Sequence, residues 1–309
     1  MKLFDVVRLW GPNTFSKSGR DKQKKCTTFS LPGGNDPQVQ GLYMERYRLD
    51  ECIEHLESDR HRVAAFDTLL GMYRIKRRFP DLSNFRLGPN MFKQIPVDWI
   101  VLAHGSESLA RSQLIAHGLA CRIPWNGNPR DLPKGWQGAV RACYENFVDG
   151  KQPNNTFVGL FIKVENDYRN EGWAAQVLAA MKKFGAKCGA SKLIIPLRLP
   201  TRYERQYFHM PFEEFAVLRQ ATGEYTDYWL RLHVRLGAEI IGYCSNSHQY
   251  AMNVNDFYEQ FEAEKCETSG YQPARRNNEW HNAYVDLERD CVVISEGCVW
   301  VQHTLEARS

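Results

Sequence analysis

The chain has 309 residues, 43% of them hydrophobic and 25% charged, which is the balance of an ordinary globular protein long enough to bury a sizeable core. A net charge of +4 without a nucleic-acid-reading motif, and the lack of any window near the ~20 apolar residues a bilayer span needs, argue against nucleic acid and membrane as partners. The nine cysteines are odd in number and never fall two residues apart, which excludes a zinc knuckle or redox pair; free thiols and no metal are expected.

The opening stretch, MKLFDVVRLW, puts Asp5 and Arg8 where a signal peptide needs an unbroken apolar core, so a cytoplasmic setting is expected. Residues 1–39 carry a basic run, SKSGRDKQKK, and a turn cluster, LPGGNDP, and read as a loop-rich N-terminal extension. Lys17, Arg20, Lys22, Lys24 and Lys25 suit either a solvated loop or a docking patch for an acidic partner or phosphate. Residues 40–309 read as one domain. In it, Leu49, Cys52, Ile53 and Leu56, then Val63, Phe66, Leu69, Leu70 and Tyr73, repeat at helical spacing and predict two packed helices. The basic stretch RIKRRF (residues 74–79) closes the second, where a helix C-terminus favours positive charge.

From Val97 the texture becomes that of strands. DWIVLAHG and SQLIAHGLACRIP predict a hairpin, and DLPKGWQGAVRACYENF a helix. NNTFVGLFIKV (residues 154–164) is apolar on both faces, as a central strand must be. A polar turn, NDYRNEGWA, leads into a helix with the stripe Val177, Leu178, Met181 and Phe184, and KLIIPLRL supplies the next strand. This strand, turn, helix, strand order predicts an α/β fold.

Within the turn, Arg169, Gly172 and Ala174 give RxxGxA. A turn opening a helix leaves backbone N–H groups unpaired where the helix dipole favours negative charge, and a pyrophosphate would satisfy them. Alternatively, Gly172 only relieves a crowded turn and Arg169 is solvated. The glycine spacing is not that of a Rossmann fingerprint, and no GK[ST] follows.

The stretch NTFVGLFIKVENDYRNEGWA resembles the cofactor-binding element of the GNAT superfamily, the acyl-CoA N-acyltransferases. There the bulged edge of a strand meets pantetheine, and the amides of an [RQ]xxGx[GA] turn hold the pyrophosphate. The resemblance implies that Phe161, Ile162, Lys163 and Val164 meet the pantetheine of acyl-CoA. It likewise implies that Arg169, Asn170, Glu171, Gly172, Trp173 and Ala174 hold the pyrophosphate. It extends through PLRLPTRYERQYFHMPFEEF, DYWLRLHVRLGA and GCVWVQH, which are similar to a branch containing the loading domains of curacin-type and saxitoxin-type synthases. Two departures stand out: Leu199 lies between Arg198 and Pro200 where the branch has no residue, and Tyr203 stands where a lysine is usual.

In DYWLRLHVRLGAEI (residues 227–240), Asp227 is a good N-cap and Gly237 a good C-cap, with His233 four residues before the glycine. On residue type alone His233 is either a core residue or a proton carrier. In GNAT enzymes a tyrosine four residues before the corresponding glycine protonates the departing CoA thiolate, so the resemblance implies that His233 is the general acid. It pairs His233 with Thr201, whose hydroxyl would meet a thioester oxygen or an enolate. Arg198 suits either an acyl carboxylate or a neighbouring strand, and Glu165 is a candidate base. Trp125, Trp136, Trp229, Trp280 and Trp300 suit the core, with one or two available to line an acyl tunnel.

The expected protein is therefore α/β with the GNAT fold, a mixed central sheet flanked by helices. The expected activity is transfer of an acyl group, acetyl-CoA being the first donor, to an acceptor amine on a small molecule in natural-product biosynthesis. An acyl carrier protein is a possible alternative donor. The alternatives are a decarboxylase of malonyl-CoA type that loads a carrier-protein thiol, and a binding module that keeps the fold without turnover.

Overall fold

The most apolar run of the sequence forms the strand to which the rest of the sheet is referred: β6, Thr156–Val164, whose first five residues are buried. In a computed structural model the chain is described over residues 6–10, 26–30, 42–48, 97–104, 113–148 and 155–305. On one side of β6 lie β5 (Gln113–Ile123) and β4 (Asp98–His104), antiparallel to each other as their alternation predicts, and then β3 (Leu42–Arg48). On the other side lies β7 (Lys192–Leu197), parallel to β6, followed by β11 (Cys291–Thr304), β10 (Glu279–Asp286) and β9 (Gly270–Arg276). A long strand, β8 (Glu239–Met252), pairs with β11 off this path.

Residues 1–39, read from sequence as loop-rich, contribute two strands. These are β1 (Val6–Trp10) and β2 (Cys26–Ser30), antiparallel to each other, with β1 parallel to β3. The β-branched residues of VVRLW and CTTFS suit a pleated surface. The basic residues between them, the two helices expected over residues 49–73 and the basic stretch 74–79 lie outside the described residues.

Helices cover both faces because the inner strands alternate apolar side chains between them. Leu119, Cys121, Val158, Ile194 and Trp300 point to one face, where they meet Ala139, Val140 and Cys143 of α1 (Gly135–Val148). Ala120, Phe157, Ile195 and Val299 point to the other and meet the predicted stripe of α2 (Trp173–Lys187), with Val177, Leu178, Met181 and Phe184 all buried. The short α3 (Phe212–Val217) and α4 (Tyr228–Arg235) extend the second layer, through Phe215 and Leu230. A third cluster packs Phe257 of α5 (Val254–Gln260) against β8, β9, β10 and β11. No helix among the described residues is long and apolar enough to cross a membrane.

Candidate active site

Two irregularities in the sheet make the site. The β5–β6 ladder pairs Leu119 with Phe161 and then Ala120 with Gly159, so Leu160 is an extra residue and β6 bulges there. The parallel β6–β7 ladder ends at Val158 and Ile194, although both strands continue. A cavity of about 380 Å³ lies at this parting, lined by Leu160, Phe161 and Ile162 of β6, Ile195 and Leu197 of β7, and Trp229 and His233 of α4.

Beyond β6 comes the turn. Tyr168 and Arg169 donate their amides back to Glu165 and Asn166, and Asn170 and Gly172 take left-handed φ values of 67° and 85°. A Cβ placed on Gly172 meets nothing within 4 Å, so the glycine serves its backbone conformation rather than internal packing. Gly172 caps α2 without a side-chain bond, and the first turn of that helix holds no acidic residue. The first amides of a helix have no partner inside it, so those of Trp173 and Ala174 form, with the exposed turn, a place that favours an anion. Glu171 is held by the indole Nε1–H of Trp173 (2.7 Å), and Lys163 is paired with Glu165 (2.8 Å). Glu165, the sequence-level candidate for a base, is thus engaged at the end of β6 and does not line the cavity.

His233 is fully buried in α4, whose ends form as the sequence dictates. Asp227 accepts from the amides of Trp229 (2.9 Å) and Leu230 (2.8 Å), while Gly237 and Ala238 donate to Val234 and His233 carbonyls in a Schellman motif. Nδ1 of His233 lies 3.0 Å from Nε2 of His303 on β11, and the edge of Trp229 packs against its ring. Its Nε2 has no hydrogen-bond partner among the described residues. Burial, then the neighbouring His303, lowers the His233 pKa to about 3; burial and Lys182 lower that of His303 to about 4. Both imidazoles are therefore neutral near pH 7, not poised at the ordinary histidine value.

No family model matches the chain. Over 135 residues it is 26% identical to the arginine N-acetyltransferase avaD of Aspergillus versicolor, a match covering 41% of this chain and 46% of the relative, so it spans about half of that protein's length. Among solved structures it is similar to the loading GNATL domain of CurA from Lyngbya majuscula, at 16% identity and a TM-score of 0.41 over 85% of this chain and 98% of that one. It is also similar to the GphF GNAT-like decarboxylase in complex with isobutyryl-CoA, at 14% identity and a TM-score of 0.41 over 78% and 96%. The bulged strand, its parting from β7 and the open turn before α2 agree with the element quoted from the sequence. The chain has a mixed α/β fold.

Around this core, the residues expected from sequence separate into two groups. His233, Arg198, Phe161 and Ile162 share the cavity. Thr201 does not join them: its amide donates to Asp227 Oδ2 (3.0 Å), and its Oγ1 accepts from the amide of Tyr228 (3.4 Å). It is thereby tied to the first residue of α4, about 7 Å of helix rise from His233. Asp227 beneath it is buried, which raises its pKa against the lowering effect of the amides it accepts from.

Arg198 is occupied by protein carboxylates. Its guanidinium forms a fork with Glu279 (2.9 and 2.8 Å), reaches Glu296 Oε1 (2.9 Å), and lies 3.8 Å over the ring of Tyr203. Tyr203 thus gives the guanidinium a stacking surface. Glu296 also accepts from Tyr250 Oη (2.9 Å), and its Oε2 faces Nδ1 of His248 at 3.8 Å. Burial pushes the Glu296 carboxyl up, but Arg198 and His248 together hold it well below the usual carboxylate range. Glu296 and His248 both line the cavity. Sequence reasoning passed over them, although an acid inside the apolar run of β11 was a signal, because buried charge must be paired. Trp136 and Trp229 line the cavity too, while Trp125 and Trp300 belong to the core. Among the described residues no three His, Cys, Asp or Glu side chains converge as a metal site needs.

Proposed function

We propose that the chain is an acyl-CoA-dependent N-acyltransferase that moves a short acyl group, acetyl in the first place, onto the amine of a small molecule. The observation that carries this reading is the meeting of the bulged β6 edge and the unpartnered Nε2 of His233 in one cavity. The edge of β6 beyond Val158 has no β7 partner, so its backbone groups are available to pantetheine and to the thioester oxygen. Arg169, Asn170, Glu171, Gly172, Trp173 and Ala174 form the open turn that suits the pyrophosphate. The curated relative, by its name, acetylates arginine, which supports an acetyl donor and a nitrogen acceptor. Cys121, Cys143, Cys188, Cys244, Cys266, Cys291 and Cys298 are free thiols, which supports a reducing, cytoplasmic setting.

The chemistry starts from a neutral amine. Its lone pair attacks the thioester carbon, a C–N bond forms, and the carbonyl electrons move onto oxygen. Nε2 of His233 takes one proton from the attacking nitrogen. As the carbonyl reforms the C–S bond breaks, and the same proton passes to the departing thiolate. The products are an amide and CoA thiol. One nitrogen of His233 thus acts as base and then as acid, while His303 holds the other and sets the tautomer.

The alternative, decarboxylation of a malonyl-type thioester followed by transfer to a carrier-protein thiol, calls for a cation to hold the substrate carboxylate. Arg198 is committed to Glu279 and Glu296, and the Thr201 hydroxyl is tied to α4. Incubation with malonyl-CoA and no acceptor separates the two: no acetyl-CoA is expected, whereas acetyl-CoA plus an amine panel releases free thiol. Failure of every acyl-CoA and amine combination to release thiol sinks the transferase reading.

A further inference from the structure

Strand register brings together two cysteines that sequence spacing keeps apart. Cys244 of β8 and Cys298 of β11 are direct partners in an antiparallel ladder, which sets their Cα atoms about 4.5 to 5.5 Å apart. A disulfide spans that separation without moving the backbone, and residues opposite each other project from the same face of a sheet. Here that face is the one covered by α1, where Cys298 belongs to the core and Cys244 packs against it. Both are free thiols, and their side chains are in hydrogen-bond contact.

The two thiols are not equivalent. Cys298 is buried in the sheet, and burial, then the neighbouring Cys244 sulfur, pushes its thiol up. Cys244 is half-buried beside the exposed residues Ser245 and Asn246. The Cys298 thiol donates to its sulfur and, with the Asn246 amide and Lys134, outweighs burial and lowers Cys244 to about 7. An accessible, easily ionised thiol next to a sheltered one suits peroxide sensing, since the first sulfur is oxidised and the second resolves it. Cys121 and Cys143 also touch, but both are buried, away from an oxidant in solvent.

The pair adjoins the cavity. The ladder slips between Glu296 and Cys298, and within the slip Ser247 donates its hydroxyl to the Cys298 sulfur. Its Oγ in turn accepts from the amide of Trp136 (2.8 Å). The indole Nε1–H of Trp136 donates to the carbonyl of Leu160 (2.8 Å), the extra residue of the β6 bulge. Ser247, Trp136 and Leu160 all line the cavity.

We propose that Cys244 and Cys298 form a reversible, peroxide-responsive disulfide that loosens the cavity wall and slows turnover. The effect on turnover rests on the acyl-transfer reading of that cavity, whereas the bond itself does not. The Cys244 thiolate attacks one oxygen of hydrogen peroxide, the O–O bond breaks, and the departing hydroxide takes a proton from solvent to become water. The Cys298 sulfur then attacks the sulfenic acid so formed. The S–S bond forms, the S–O bond breaks, and the Cys298 proton leaves with the hydroxyl group as a second water. Each sulfur gives up one electron, and the peroxide gains both. A small dithiol returns both thiols by exchange and is itself oxidised to a disulfide, so a transient bond of this kind is compatible with a reducing setting. Closing the bridge turns the Cys298 sulfur toward Cys244 and away from the Ser247 hydroxyl, which slackens the tie through Trp136 to Leu160.

The test treats the full chain with hydrogen peroxide, blocks the remaining thiols with N-ethylmaleimide in denaturant, and maps the peptides by mass spectrometry. A cross-link between the Cys244 and Cys298 peptides is expected, reversed by dithiothreitol, with Cys121 and Cys143 recovered as blocked thiols. Cys298→Ala is expected to stop at a Cys244 sulfenic acid that dimedone traps, and Cys244→Ser to leave Cys298 a thiol. Amide formation from acetyl-CoA and an amine panel is expected to fall at least about tenfold in the oxidised chain and to return with dithiothreitol. In Cys244→Ser it is expected not to respond to peroxide. Absence of the Cys244–Cys298 cross-link from the oxidised parent overturns the proposal, so the decision does not depend on a variant folding. A cross-link with turnover within about twofold of the reduced chain overturns the control of the cavity and leaves the transferase reading intact. A reduced chain that makes no amide overturns the transferase reading, and the control with it, while the peptide map still decides the bond.

Discussion

In the proposed transfer His233 would meet the thioester as a neutral imidazole, and that decides which half of its work is hard. A protonated imidazole held near pKa 3 gives its proton readily to a thiolate, whose ordinary conjugate acid lies near 8.5, so delivery to sulfur is downhill and pick-up from nitrogen is the demanding half. Replacing it by glutamine is expected to lower kcat about 100-fold while acetyl-CoA affinity stays within about twofold, read by thiol release and calorimetry. Because its own ionisation lies far below neutrality, His233 contributes no acid limb to the rate between pH 5 and 8; a limb that vanishes in His233→Gln would place its pKa, and its role, elsewhere. Arg198 answers to a different argument. Its removal leaves Glu296, only 9% exposed at the side chain, without its cation, and Arg198→Ala is expected to cost about 3 kcal/mol in urea unfolding. Arg198→Lys recovers only part, since an ammonium cannot bridge two carboxylates and stack on Tyr203. The pairing of Thr201 with His233, implied by resemblance, is not a contact in the structure, whereas the Glu296–His248 pair was invisible because its members lie 48 residues apart and meet only through strand register.

Secondary-structure elements were legible where their cause is local. The caps of α4 are single residues at fixed offsets, Asp227 and Gly237, and both form as expected. The stripe of α2 follows from spacing alone, and so does the two-sided burial of β6. The bulge at Leu160 was not legible, because it exists only in the register of β6 against β5, and the parting of β6 from β7 is likewise a property of the pair. The turn between β6 and α2 gives the element its own test. Gly172 at φ 85° with open space around it makes Gly172→Ala cost about 1 kcal/mol of backbone strain, while the new methyl group would stand in the approach of the proposed pyrophosphate. Acetyl-CoA affinity is expected to fall about tenfold, with kcat at saturation preserved. A variant that loses kcat and keeps its affinity would remove the turn from cofactor binding.

Across the whole molecule, buried histidines couple the fold to pH. The mixed α/β architecture followed from the strand, turn, helix, strand order, but the strands within residues 1–39 did not, since five-residue strands show too little alternation to stand out. The sheet so built closes over His117 on β5, His233 on α4 and His303 on β11, all fully buried. Burial, with Lys163 a smaller cause, lowers His117 to about 4, beside about 3 for His233 and about 4 for His303. In the unfolded chain each returns to 6.5, so as pH falls from 6.5 toward 4 the unfolded state binds protons that the folded state refuses. Their contribution to stability is complete above pH 6.5 and is lost as pH falls through that window, at about 1.4 kcal/mol per pH unit for each proton at most. His233 and His303 share a hydrogen bond and titrate as a pair, so His117 gives the cleaner single-site experiment. Urea unfolding of the parent at intervals between pH 7.5 and 4.5 should show stability falling steeply below pH 6.5. In His117→Gln the fall should be shallower by about one proton, that is by about 1.4 kcal/mol per pH unit near pH 5. Equal slopes for parent and variant would mean that His117 binds its proton as readily inside the sheet as outside it, and burial would not then be what makes this fold sensitive to acid.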